Sequence, residues 1–157
     1  MHNACKRYGL QVLQKLTREF YIKEVRWSTH EAALRQVREQ VFIVEQHVPA
    51  AIEWDAYDET ANHLLVLNNQ EQAIGCARIL DSGSIGRMAV ITSWRGVGLG
   101  TALLDKAIQS CKERNISKIT LSAQTHAVSF YEKVGFVVCS EVYLDANIKH
   151  VDMQLNI

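Results

Sequence analysis

The segment RGVGLG, residues 95–100, sets Gly96, Gly98 and Gly100 in alternate positions at the mouth of a long amphipathic pattern. Leu103, Leu104, Ala107, Ile108 and Cys111 fall on one side of a helical projection, and Asp105, Lys106, Gln109, Lys112 and Glu113 on the other. A helix with one buried face follows. Glycine disfavours a helix by about 1 kcal/mol relative to alanine, so these glycines serve something other than helix stability. Two uses are open. Glycines let a backbone approach a ligand closely, and the unpaired amides of a first helical turn, at the positive end of the helix dipole, favour phosphate; Arg95 adds a formal charge at the entrance. Alternatively, they allow tight helix-to-sheet packing with no ligand. Two familiar phosphate loops are excluded. A Walker loop needs lysine where Thr101 stands, and the dinucleotide fingerprint needs Gly-x-Gly-x-x-Gly with an acidic residue about 20 positions on, where Ile116 stands.

Around this segment the hydrophobic period alternates between that of strands and that of helices. FYIKEVRW reads as a strand. Ser28 and Glu31 have capping-box spacing and open a helix bearing Leu34, Val37, Val41 and Val44 on one face, which stops before Pro49. Residues 45–61 form an irregular or briefly helical acidic loop, with Glu45, Glu53, Asp55, Asp58 and Glu59 among Ile52, Trp54 and Tyr57. HLLVL, AIGCARIL and IGRMAVI, separated by the turn-forming NNQEQ and DSGS, read as a β-meander. After the glycine helix come a strand at KITLSA, a short helix at HAVSFYEKV that ends at Gly135, and strands at FVVCSEVYL and HVDMQLN. The order predicts one α/β domain over residues 21–157, a mixed and mainly antiparallel central sheet flanked by helices. Residues 1–20, with Leu10, Leu13 and Leu16 at helical spacing, read as an N-terminal extension, either an added amphipathic helix or an expression remnant. Val151, Met153 and Leu155 line one face of the last strand; placed at a sheet edge, that face is compatible with a homodimer.

Charge and cysteine usage narrow the partners. Lysine plus arginine and aspartate plus glutamate number 17 each, which gives no reason to expect a nucleic-acid or membrane partner. Cys5, Cys76, Cys111 and Cys139 are scattered, with no Cys-x-x-Cys pair and no closely spaced histidine. Neither a zinc site, or any other metal site, nor a redox motif is expected, and a reducing, cytoplasmic setting fits. No apolar run suggests a secretory signal or a membrane span.

Three segments in order carry a resemblance. RGVGLG, Arg95 to Gly100, resembles the Arg/Gln-x-x-Gly-x-Gly/Ala pyrophosphate loop of the GNAT superfamily of N-acetyltransferases. RMAV lies on the strand just before it, and AQTHAVSFYEKVGF after the next strand resembles the superfamily's Asn-x-x-Ala-x-x-Phe-Tyr-x-x-x-Gly-Phe helix, with Gln124 in place of the asparagine. The resemblance spans residues 21–157. It implies a GNAT-like fold, acetyl-CoA as donor, and a primary amine as acceptor that attacks directly in a ternary complex. A module of the same fold that binds or senses acyl-CoA without turnover is the alternative.

By position, the resemblance assigns Met88, Ala89 and Val90 to the pantetheine arm, with a backbone N–H near Ala89 polarising the thioester carbonyl. Arg95, Gly96, Val97, Gly98, Leu99, Gly100 and Thr101 would bind the pyrophosphate. Tyr131 would be the general acid for the departing thiolate; a packed core tyrosine is the other reading. Gln124 would hydrogen-bond the cofactor or cap its helix. An amine with a pKa of about 10 must lose a proton before it attacks. The candidate bases are Glu53, Asp55 and Asp58 in the acidic loop, and His150, which resembles the catalytic histidine of the glyphosate N-acetyltransferase branch. Arg78 and Arg87, charged residues in interior strands, need partners: a carboxylate on the acceptor, or Glu45 or Asp58. Trp54 is expected to cover the acceptor mouth.

Overall fold

The computed structural model describes residues 18–157; the leucines at 10, 13 and 16 lie outside the described residues. Strand β1 (Phe20–Val25) leads into helix α1 (Trp27–Arg38), which continues as a π-helical stretch over Glu39–Glu45. Two short helices, α2 (Ala50–Glu53) and α3 (Tyr57–Thr60), make up the acidic segment. The meander follows as β2 (Asn62–Asn68), β3 (Ala73–Ile79) and β4 (Ser84–Val90). Then come α4 (Leu99–Glu113), β5 (Lys118–Gln124), a 3-10 turn at Thr125–Ala127, α5 (Val128–Glu132), β6 (Val137–Val138), β7 (Tyr143–Asp145) and β8 (Ile148–Asn156). The sheet runs β1-β2-β3-β4-β5-β8-β6, with β7 also on β8, and only the β4 to β5 pairing is parallel.

The unbroken apolar run of β2 is explained by burial on both sides. Leu64 and Val66 face α4, packing with Leu103, Leu104 and Ala107, while Leu65 and Leu67 face α1, packing with Leu34, Val37 and Val41. The helices therefore sandwich the sheet, as the period-2 and period-3.6 patterns predict.

Four details differ from expectation. Helix α1 starts at Trp27 with Arg26 as its cap and no side-chain capping bond; the buried Trp27 indole, packed on His63 and Trp54, draws the chain into the helix ahead of Ser28. Val44 is 65% exposed, because the wider π-helical turn rotates it off the stripe that Leu34, Val37 and Val41 occupy. FVVCSEVYL splits into β6 and β7: the Asp152 amide of β8 donates to the Ser140 hydroxyl at 2.8 Å instead of to a backbone carbonyl, so the ladder is interrupted between them. Finally, β8 lies inside the sheet between β5 and the β6 and β7 segments. Its Val151 and Met153 are core residues, so they offer no edge for a second copy.

The feature that positions a site is a split in the sheet. Strands β4 and β5 pair only at Ser84 with Thr120 and Ile85 with Leu121, then separate. Just beyond, β4 carries a bulge: Gly86 opposes Arg78 and Ala89 opposes Cys76, so three steps on β4 match two on β3. Arg87 sits in it with φ 50°. A bulge sharpens local twist and turns a strand away from its neighbour.

Candidate active site

The split opens a cleft of about 820 Å³, walled by β4 from Ser84 to Val90 on one side and by Ser122, Gln124 and His150 on the other. After Ile85 the edge of β4 that faces β5 has no strand partner, so backbone N–H and C=O groups there are available to a ligand. Met88, Ala89 and Val90 all line the cleft, as do Arg95, Gln124, Tyr131, His150, Glu53, Arg78 and Arg87.

Arg95 lines one end of the cleft, and the glycine loop follows it directly in the chain, although Gly96 to Thr101 do not themselves line the cleft. Gly96 and Gly98 have φ of 75° and 83°, a left-handed backbone that only glycine adopts without strain. A Cβ built on either would meet nothing within 4 Å, and one on Gly100 would make only ordinary contact with the Phe130 ring at 3.7 Å. Close helix-to-sheet packing is therefore not their reason. Gly98 caps α4, whose first bond runs from the Ala102 amide to the Gly98 carbonyl at 3.1 Å. The amides of Leu99, Gly100 and Thr101 precede it and have no helical partner. The loop, with Val97 at its crest, has the backbone shape and open space that an anion requires.

Arg95 is held at the loop's entrance. Its Nη1 and Nη2 donate to the Glu45 carboxylate at 2.6 and 2.8 Å, and its Nε to the Val90 carbonyl at 2.9 Å. Glu45 thus serves Arg95 and not Arg78 or Arg87. The Arg95 hydrogen bonds hold the Glu45 carboxyl below the usual carboxylate range.

Tyr131 projects from α5 with its ring edge-on to Phe130 and Phe136. Its hydroxyl reaches toward the Met88 sulfur at 3.9 Å, and burial pushes its pKa up to about 12. The hydroxyl is thus protonated throughout the neutral range, at a cleft wall, with a single weak acceptor. Gln124 donates to the Gln46 side chain at 2.8 Å and makes no side-chain cap for the turn that follows it, which removes the capping reading.

The acidic segment is organised by a residue absent from the sequence expectations, Arg38. Its guanidinium, 1% exposed, donates from Nε to Glu53 at 2.8 Å, from Nη1 to Asp58 at 2.6 Å and from Nη2 to the Glu53 carbonyl at 2.7 Å. The signal was present: Arg38 occupies the i+4 position on the Leu34, Val37 and Val41 stripe, where a charge is buried only if paired. Asp58, 2% exposed, also accepts from Arg78. Burial works to raise its pKa, but the Arg38 and Arg78 bonds prevail and hold it low. For Glu53 burial prevails over Arg38 and Arg87, and its pKa is raised. Asp55 bonds Arg78 at 2.7 Å and Arg87 at 3.3 Å. Asp58 and Asp55 do not line the cleft, and neither does Trp54, whose ring packs over Arg35 and Arg38 beside Trp27 on a separate depression. The expected cover of the acceptor mouth is therefore corrected: the indole caps the Arg38 ion pairs.

His150, across the cleft, has a defined tautomer. Its Nδ1–H donates to the Ile148 carbonyl at 2.7 Å, which makes Nε2 the acceptor nitrogen of the neutral ring. The ring stacks on Tyr143 with centroids 6.0 Å apart and planes 20° off parallel. Tyr143 in turn donates to Asp152 at 2.6 Å and hydrogen-bonds Ser122. Tyr143 was not foreseen, since its register opposite His150 depends on the split of the preceding strand.

Residues 27–157 match the acetyltransferase (GNAT) domain family. The chain belongs to that family. This GNAT protein is 37% identical over 121 residues to the uncharacterized N-acetyltransferase YjcF of Bacillus subtilis, covering 74% of this chain and 86% of that protein. Its fold superposes on an acyl-CoA N-acyltransferase from Pseudomonas aeruginosa with a TM-score of 0.77 and 32% identity, over 88% of this chain and 99% of the other. Escherichia coli ElaA superposes with a TM-score of 0.79 and 30% identity, over 87% and 99%. Among the described residues no helix is long and apolar enough to cross a membrane.

Proposed function

We propose that this GNAT protein transfers the acetyl group of acetyl-CoA to a primary amine by direct attack in a ternary complex. The observation that carries the reading is the cleft between the splayed β4 and β5, which runs from Arg95 to His150 and Glu53. Acetyl-CoA supplies the acetyl group as a thioester, with a thiolate as leaving group. The left-handed turns at Gly96 and Gly98 and the amides of Leu99, Gly100 and Thr101 bind the pyrophosphate. The free edge of β4 at Met88, Ala89 and Val90 holds the pantetheine amides, and a backbone N–H near Ala89 stabilises negative charge as it develops on the acyl oxygen. Tyr131, protonated and facing Met88, gives its proton to the departing sulfur.

His150 is the base. Its Nε2 lone pair is free while its Nδ1–H is fixed on Ile148, and it lines the cleft, so it accepts the amine proton. The likeness to the glyphosate N-acetyltransferase histidine supports the same role. Glu53 also lines the cleft, but Arg38 holds its carboxylate at 2.8 Å and Arg87 approaches at 3.4 Å. The free Cys76, Cys111 and Cys139 fit a reducing, cytoplasmic setting.

The test is thiol release from acetyl-CoA in the presence of a panel of primary amines, with the N-acetyl product identified by mass. Amine-dependent release equimolar with product is expected. Tight acetyl-CoA binding without release for any amine would instead make the protein an acyl-CoA-binding module.

A further inference from the structure

Three buried or half-buried arginines meet beside the acceptor end of the cleft, and they are not equally satisfied. Arg38 uses Nε, Nη1 and Nη2 in bonds of 2.6 to 2.8 Å. Arg78, only 7% exposed, bonds through Nη1 alone, to Asp55 and Asp58. Its Nε is buried and has no hydrogen-bond partner among the described residues. Arg87, on the bulge with φ 50° and its side chain 26% exposed, meets the Glu53 carbonyl at 3.1 and 3.3 Å, Asp55 at 3.3 Å and the Glu53 carboxylate at 3.4 Å, through Nε and Nη2. A buried guanidinium N–H without an acceptor is rare and calls for a partner. Arg78 and Arg87 both line the cleft, whereas Arg38 does not.

Arg78 and Arg87 line the same cleft as His150. Along β3 Arg78 alternates with Ala77 and Ile79, along β5 Gln124 alternates with Ala123, and along β8 His150 alternates with Val151; each of those neighbours belongs to the α4 core. Arg78, Gln124 and His150 therefore share the opposite face of the sheet. On that face a pair of guanidiniums with donors to spare stands on one side of the cleft and a lone-pair nitrogen on the other.

We infer that the acceptor is an amine that also bears a carboxylate, and that Arg78 and Arg87 bind this carboxylate while its amine faces His150. This deepens the acetyltransferase reading and rests on it. Guanidinium forks match the two oxygens of a carboxylate. The three guanidiniums are matched by Glu53, Asp55 and Asp58, so a phosphate dianion would add twice the uncompensated negative charge of a carboxylate, and the carboxylate is the less costly anion.

The experiment compares the common L-α-amino acids, β-alanine and 4-aminobutyrate, each beside its carboxamide, by kcat/KM for thiol release at saturating acetyl-CoA. The proposal expects at least one acid to exceed its amide by more than tenfold. It expects that preference to fall below threefold in Arg87→Gln, with acetyl-CoA affinity kept; Arg78→Gln, more deeply buried, is the second variant, checked for folding by its thermal transition. Amides used as well as acids, or turnover of carboxylate-free amines only, would overturn the proposal and leave the acetyltransferase reading intact. Calorimetric titration of the same compounds into the CoA-loaded protein decides the matter without turnover. Acids binding more than tenfold tighter than their amides would support the carboxylate site even if no amine were acetylated, and acids binding no tighter than amides would overturn it.

Discussion

The His150 ring lies parallel to the Tyr143 ring within 20°, with its Nδ1–H tied to the Ile148 carbonyl. The stack and the hydrogen bond together hold the orientation of the ring. On the proposed mechanism Tyr143 acts on the amine only through His150, which makes it a positioning residue. Tyr143→Ala is expected to lower kcat about tenfold or more with the KM for acetyl-CoA unchanged, while Tyr143→Phe, which keeps the stack and loses the Asp152 bond, should retain most of kcat. Steady-state kinetics on both variants check this, and a Phe variant as impaired as the Ala variant would shift the role to the hydroxyl.

The acidic limb of the kcat/KM profile identifies the base. It is expected to vanish in His150→Ala and to persist in Glu53→Gln. The reverse pattern would assign the base to Glu53, whose carboxyl is raised by burial.

The glycine loop gives a prediction of a different kind. Gly98→Val forces a β-branched residue into φ 83°, a backbone state that costs side-chain-bearing residues about 1–2 kcal/mol, and sets its methyl groups in the open space before the loop. Acetyl-CoA affinity should fall by more than tenfold while the circular dichroism spectrum is kept. Unchanged affinity in the folded variant would remove the cradle.

Stability against acid follows from Asp58. Its pKa is lowered in the folded protein by Arg38 and Arg78, against burial. A depressed carboxylate contributes stability that is present above its unfolded pKa of about 3.9 and lost as the pH falls through the lower folded value. Glu53, raised by burial, has the opposite sign: its contribution is fully present below an unfolded value of about 4.3 and is lost as the pH rises through the folded one. Thermal melts between pH 2 and 7 are therefore expected to steepen below about pH 4, and to do so less in Asp58→Asn. Arg38→Met, which removes the shortest bonds to both buried carboxylates and leaves Asp58 with Arg78 and Glu53 with Arg87, should cost about 3–5 kcal/mol at neutral pH.

Much of the fold was legible because it rests on local periods. The α4 stripe from Leu103 to Cys111, the buried run of β2 and the alternation of β8 each express one element's own contacts. What was illegible depended on contacts far apart in the chain. Glu45 meets Arg95 across fifty residues, and nothing in either neighbourhood marks the pairing. Ser140 interrupts a strand only because β8 brings the Asp152 amide to its hydroxyl. The π-helical turn that exposes Val44 leaves no periodic trace in so short a span. Tyr131 and His150, picked from pattern and resemblance, do line the cleft, whereas Trp54 was misplaced because an aromatic in an acidic loop reads the same whether it covers a ligand or a buried guanidinium.

The most direct measurement is the effect of Tyr131→Phe on amine-dependent thiol release. The hydroxyl is at the cleft wall, held protonated by burial, with the Met88 sulfur as its hydrogen-bond acceptor among the described residues. On the proposed mechanism its position makes it matter when charge builds on sulfur, not when acetyl-CoA binds. The expected result is acetyl-CoA affinity within threefold of the parent protein and a kcat lower by about a hundredfold or more. A Phe variant that turns over at the parent rate would contradict proton donation by Tyr131.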